Sequence, residues 1–135
     1  MNEALLISFV GQLAKDIELT DIPVVDANKT YKFSFGKDLA IGIRAMETGF
    51  YLTSYLGPCS EQNCEDFFST LMHANLFGKG TGGGIIGLNE EGKQFTFTKK
   101  YPFQMNYAEF KSHIEDFINY VDLWQKKVND QLVKV

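Results

Sequence analysis

Between residues 30 and 56, three short runs alternate apolar and polar side chains in steps of two, and this pattern limits the folds open to the chain. Tyr31, Phe33 and Phe35 alternate with Thr30, Lys32 and Ser34. Leu39, Ile41 and Ile43 alternate with Ala40, Gly42 and Arg44, and Phe50, Leu52 and Leu56 alternate with Tyr51, Thr53 and Tyr55. Successive side chains of a strand point to opposite faces, so each run has one apolar face. The connections Gly36-Lys37-Asp38 and Glu47-Thr48-Gly49 are short and polar. Such turns join antiparallel neighbours, so the pattern predicts a three-strand meander closed by Gly57-Pro58.

A sheet that is apolar on one face needs a cover. Residues 3–17 read as an amphipathic helix, with Leu5, Leu6, Phe9, Val10, Leu13 and Ile17 at steps of three and four. A loop with Pro23 follows. A second helix is expected over 61–77, capped by Ser60 or Asn63, with Glu61, Glu65 and Asp66 at its positive end. Phe67, Leu71 and Ala74 make one stripe, which Phe68, Met72 and Leu76 broaden, and Phe77 adds to the apolar count. One sheet face needs a stripe only about 100° wide. The excess predicts burial twice, against the chain's own sheet and against another chain. The run Gly78-Lys79-Gly80-Thr81-Gly82-Gly83-Gly84 stops this helix. Ile85, Ile86 and Leu88 form a strand, Asn89-Glu90-Glu91-Gly92 a turn, and Phe95 and Phe97 the returning strand, closed by Pro102. Asn106 with Glu109 resembles a capping box. It opens a third helix with Phe110, Ile114, Phe117, Ile118, Val121 and Trp124 on one stripe, continued by Val128 and Leu132. The expected fold is α+β, in the order α-β-β-β-α-β-β-α: a twisted antiparallel sheet with packed helices, one domain over residues 1–135. No repeat or linker divides it.

Composition narrows the function. With 44% hydrophobic and 22% charged residues, the chain is an ordinary folded globule. Its 12 Phe suggest that some serve a partner surface as well as the core. The net charge is −4, the pI about 5.1, and Arg44 is the single arginine. Arginine is the preferred fork for phosphates and base edges, so neither nucleic acid nor an anionic membrane is an expected partner. The N-terminus lacks the basic leader and cleavage site of a signal peptide, and no run is long enough to span a bilayer. A cytoplasmic protein is expected. Cys59 and Cys64 suit a reducing compartment and receive no other role.

Gly78 to Gly83 spell G-x-G-x-x-G. In a dinucleotide site that motif follows a strand and opens a helix, whose N-terminus meets the pyrophosphate. Here it follows a helix and opens a strand, so no nucleotide or other cofactor is expected. A P-loop needs Lys followed directly by Ser or Thr, and Gly80 separates Lys79 from Thr81. Cys59, Cys64, His73 and His113 lack the paired spacing of a zinc site, so no metal is expected either. No nucleophile motif appears, and no catalytic residue is assigned.

Residues 71–97, LMHANLFGKGTGGGIIGLNEEGKQFTF, resemble the class I type III secretion chaperones, the Tir-chaperone family. That family carries a helix ending in Leu-x-x-Asn-Leu, a Gly-rich step, a strand ending near Leu-Asp/Asn, a Glu-Gly turn and a returning strand. Met72 stands at the first Leu position, followed by Asn75-Leu76, and Gly82-Gly83-Gly84, Leu88-Asn89 and Glu91-Gly92 match the later parts. The Trp124-Gln125-Lys126 segment of the last helix also agrees, and the match spans essentially the whole chain.

The resemblance implies a chaperone that binds the N-terminal segment of a type III secreted protein in extended form, keeping it stable and competent for secretion. It implies a homodimer, or a heterodimer with a related chaperone, and no enzymatic activity. On this basis Phe67, Phe68, Leu71, Met72, Leu76, Ile85 and Leu88 are expected at the dimer interface. Leu5, Phe9, Leu13, Tyr31, Phe33 and Phe35 are expected to dock the secreted partner. Each set also fits plain core, and the rival function is a small-ligand-binding α+β domain using the Gly-rich loop.

Overall fold

The computed structural model describes residues 2–17, 30–35, 39–59 and 64–133. The expected loop at Pro23, the 36–38 turn and the candidate caps Ser60 and Asn63 lie outside those residues. The chain runs α1 (Asn2–Asp16), β1 (Thr30–Phe35), β2 (Leu39–Ala45), β3 (Gly49–Pro58), α2 (Cys64–Asn75), β4 (Ile85–Leu88), β5 (Gln94–Pro102) and α3 (Tyr107–Val133). The sheet is antiparallel throughout, in the order β1-β2-β3-β5-β4. This is the α+β architecture read from the alternation, with the second hairpin joined to the meander through β5.

The register explains why one face is dry. Phe33 lies opposite Ile41, Ile43 opposite Leu52, Phe50 opposite Tyr101 and Ile86 opposite Phe97. All of these side chains are buried. On the other face Thr53 lies opposite Thr98, and the two hydroxyls share a hydrogen bond of 3.3 Å. The helices therefore cover a single face. β3 runs on through Gly57 and Pro58, with a bulge between Tyr55 and Gly57.

Each helix is held by its apolar stripe. Leu6, Phe9, Val10 and Leu13 bury that of α1, and Phe110, Ile114, Phe117, Val121, Trp124 and Val128 that of α3. Each such side chain contributes about 1.5–3 kcal/mol by leaving water. The capping box at the start of α3 forms in both directions. Glu109 N–H donates to Asn106 Oδ1 (2.8 Å), and Asn106 N–H donates to Glu109 Oε1 (3.3 Å).

The end of α2 departs from expectation. The α-helix stops at Asn75 rather than at residue 77, and Leu76–Gly78 form a 3₁₀ turn. Inside it Phe77 takes the left-handed conformation, φ 56° and ψ 17°. That region disfavours L-residues because Cβ crowds the following carbonyl.

Candidate protein-binding surface

The α2 helix presents two different sides. Phe67 and Leu71 are buried, and the rings of Phe67 and Phe68 meet Phe95 of β5 edge-on at 5.5 and 6.1 Å. Met72 on the helix and Leu76 and Phe77 just beyond it are 74%, 53% and 88% exposed, and Ile85 and Leu88 on β4 are 62% and 45% exposed. Five large apolar side chains thus stand in water around the outer edge of the sheet. Between α2 and the β4–β5 hairpin, Phe68, Leu71, Met72, Asn75, Gly87, Leu88 and Phe95 line an apolar cavity of about 440 Å³. Exposed apolar clusters of this kind mark protein-interaction sites.

Of the seven residues expected at a dimer interface, Met72, Leu76, Ile85 and Leu88 are exposed and Phe68 is half-buried. Phe67 and Leu71 form the floor beneath them. Phe77, the most exposed of the group, stands in the sequence pattern only as one more apolar residue of the helix. Its position directly before the glycine run was the signal that the helix would break there and turn the ring outward.

The Gly-rich segment folds back on itself. Gly78, Gly82 and Gly83 all have positive φ, and a Cβ on Gly82 would run into the Tyr120 ring. The segment's carbonyls are engaged inside the molecule. Gly80 C=O accepts from Trp124 Nε1 (3.0 Å), and Gly82 C=O accepts from Lys99 Nζ (2.6 Å). Thr81 is fully buried and donates its hydroxyl to Gly84 C=O at 2.6 Å. The loop fixes the end of α2 to α3 and β5, with Lys99 drawn to the Gly82 carbonyl.

The residues expected to dock a secreted partner divide differently. Phe9, Leu13 and Phe33 are 6%, 2% and 1% exposed and belong to the core of this chain. Phe9 stacks on Phe110 at 5.0 Å, which joins α1 to α3. Leu5 and Tyr31 are half-buried at the core's rim. Phe35 ends β1, and its side chain lies outside the described residues. Among the described residues of α1, the exposed large apolar side chain is Ile7. At the end of α1, Asp16 accepts a hydrogen bond from Tyr107 Oη (2.5 Å) and lies 3.5 Å from Lys111 Nζ. The Tyr107 bond holds the Asp16 carboxyl below its usual range, against the opposing effect of burial and with further help from Lys111. Burial and the bond to Asp16 push the Tyr107 hydroxyl well above the ordinary tyrosine range.

The remaining polar groups are dispersed. His73 Nδ1 donates to Ser69 C=O (2.8 Å), while the His113 ring packs on Tyr101 at 4.6 Å. Among the described residues, no three of His, Cys, Asp and Glu converge on a point. A wider groove of about 740 Å³ between β3 and α3 is lined by polar residues including Gln94, Asn119, Asp122, Gln125 and Lys126. No described helix is long and apolar enough to cross a membrane.

A one-sided α+β sheet with an apolar surface at its edge defines a small protein-binding module. The model of the Tir chaperone protein (CesT) family matches residues 8–125, and the chain belongs to that family. A Chlamydia pneumoniae protein, CPj0713/CpB0740, is 26% identical over 125 residues, covering 89% of this chain and 93% of its own. The ExsC–ExsE complex contains a similar chain, with a TM-score of 0.71, 12% identity, and coverage of 91% of this chain and 92% of that one. The Yersinia pestis type III secretion chaperone SycH, in complex with a stable fragment of YscM2, gives a TM-score of 0.65 at 11% identity, covering 87% and 98% of the two chains. The two solved structures share its fold.

Proposed function

We propose that this chain, as a single domain over residues 1–135, is a cytoplasmic chaperone of type III secretion. It acts as a dimer, holds the N-terminal segment of a secreted protein in extended form, and catalyses no reaction. The observation that carries this reading is the group of five exposed apolar side chains around β4, on a chain of a chaperone family. The dimer joins through Met72, Leu76, Ile85 and Leu88, with Phe68 beside them and Phe67 and Leu71 as floor. The secreted segment meets the α1 and β1 side at Ile7, Leu5 and Tyr31. Phe9, Leu13 and Phe33 hold those elements in place from beneath. Such binding combines strand addition with helix-in-groove contacts, and it needs a large surface because the segment loses conformational entropy. The inward-turned carbonyls of the Gly-rich loop speak against the rival small-ligand reading.

Co-purification from the native cytosol, followed by limited proteolysis of the complex, tests this. The expected result is one secreted protein whose protected fragment is short and lies near its N-terminus. Ile7→Asp should weaken that complex about tenfold or more, since it places a charge where apolar surface is buried. A protected fragment that forms a compact globular domain would overturn the proposal, as would an Ile7→Asp chain that binds as well as the wild type.

A further inference from the structure

The edge of the sheet at β4 carries both a projecting ring and a cavity able to receive one. Phe77 is 88% exposed and sits two residues beyond Asn75, which lines the cavity of about 440 Å³ between α2 and the β4–β5 hairpin. This cavity is an open groove on the surface, and its volume exceeds the roughly 150 Å³ that holds a benzene ring in an enclosed site. The ring is also held out at a conformational cost, since Phe77 is the one described non-glycine residue with positive φ. Such a residue persists where its surroundings over-determine it, and it clusters at functional contacts. Here the turn is fixed by Gly80 N–H bonding to Ala74 C=O (3.0 Å) and Gly83 N–H bonding to Gly78 C=O (3.1 Å).

The same edge is closed to strand pairing at its centre. Asn75 Nδ2 donates to Ile86 C=O (2.9 Å), and Asn75 Oδ1 accepts from Ile86 N–H (2.8 Å). Both backbone groups that Ile86 would offer a new strand are thereby engaged. Gly84 is occupied in the same way, its N–H on Thr81 C=O (3.1 Å) and its C=O on the Thr81 hydroxyl. At Gly84 and Ile86 a partner therefore meets side chains rather than free backbone. The five exposed residues offer on the order of 600 Å², against about 800 Å² per partner in a standard interface.

We propose that two copies of this chain exchange rings, Phe77 of each filling the cavity between α2 and the β4–β5 hairpin of the other. This rests on the dimeric chaperone reading above. A two-fold axis makes any such contact occur twice, because residue i meets j and j meets i. A surface that holds both the knob and the hole is self-complementary, which favours a second copy over an unrelated segment.

Sedimentation equilibrium on wild type, Phe77→Gly, Leu88→Trp and the double variant tests the exchange. Wild type should be a dimer at micromolar concentration. Phe77→Gly removes both knobs and Leu88→Trp fills both holes, so each should raise the dimer dissociation constant roughly 100-fold or more. The double variant should be no weaker than the worse single one, because both remove the same contact. Glycine accepts positive φ freely, so Phe77→Gly diluted to monomer should melt no lower than monomeric wild type. A monomeric wild type, a Phe77→Gly dimer as tight as wild type, or a Phe77→Gly monomer that melts well below wild type would each overturn the proposal. Secreted-partner binding is measured in parallel. If no partner binds but the dimer depends on Phe77, the chaperone reading fails while the exchange stands. If partner binding is lost and the dimer is unchanged, the exchange fails.

Discussion

The Asn75 amide meets Ile86 through both of its polar atoms, at 2.9 and 2.8 Å, and so behaves as a one-residue strand laid on β4. An amide has the donor and the acceptor that a backbone unit presents, at a similar spacing. No other side chain of this length except aspartate resembles it, and a carboxylate would face the Ile86 carbonyl with a second acceptor. Asn75→Ala leaves the two groups of Ile86, a buried residue, without their partner. The expected loss is about 2 kcal/mol of unfolding free energy, read from the urea midpoint at unchanged slope. Asn75→Asp should lose at least as much at pH 7. An alanine variant with the wild-type midpoint would mean that water replaces the amide at no cost. Asn75 was legible in the sequence as part of a family-like Asn-Leu pair, but its partner was not. Ile86 lies eleven residues on, and no local periodicity connects a helix end to the outer side of a strand.

At the scale of elements, order and type were readable because the periods of two and 3.6 differ clearly and glycine marks the breaks. What pattern could not decide was who covers each stripe. A residue facing its own sheet and one facing a second protein look alike in sequence, so the pattern assigns Phe9 to partner docking and Met72 to the dimer interface on the same kind of signal. Phe9 packs on Phe110 inside the chain, while Met72 stands in water. The attachment of α1 to α3 was likewise invisible, since Asp16 and Tyr107 are 91 positions apart. That attachment makes α1 sensitive to acid. The Asp16 carboxyl titrates lower in the folded chain than its ordinary value of 3.8, so its contribution is fully present above that value. It disappears as pH falls through the lower folded value. Tyr107→Phe removes the main cause, and the variant should melt below wild type at pH 7. The gap between the two melting curves should narrow as the pH falls below 3.8. A gap of the same size at pH 2 and pH 7 would assign the effect to ring packing and remove the carboxylate from the account.

The whole molecule carries a net charge of −4, so two copies brought together repel at long range. The surface proposed to join them is made of Met72, Leu76, Phe77, Ile85 and Leu88, with neutral Asn75 at its centre. Lys79 and Glu90 flank it in sequence, each two residues from its nearest member, Phe77 and Leu88, so no single sign dominates its rim and the net charge sets the long-range term. Charge therefore opposes association and apolar burial drives it, which fixes how the dimer responds to salt. Screening reaches about 30 Å at 0.01 M ionic strength and about 3 Å at 1 M, so added salt removes the repulsion between the bodies of the two copies. It leaves the apolar contact intact. The dimer dissociation constant should fall about two- to fivefold between 10 and 300 mM sodium chloride, measured by sedimentation equilibrium at pH 7.5. Sulfate at matched ionic strength should tighten the dimer further than chloride, because it is excluded from protein surface and strengthens apolar burial. An interface held by ion pairs responds with the opposite sign, loosening as the pairs are screened. A dimer that weakens steadily from 10 to 300 mM would therefore be held by ion pairs and would remove the apolar edge at β4 as the contact.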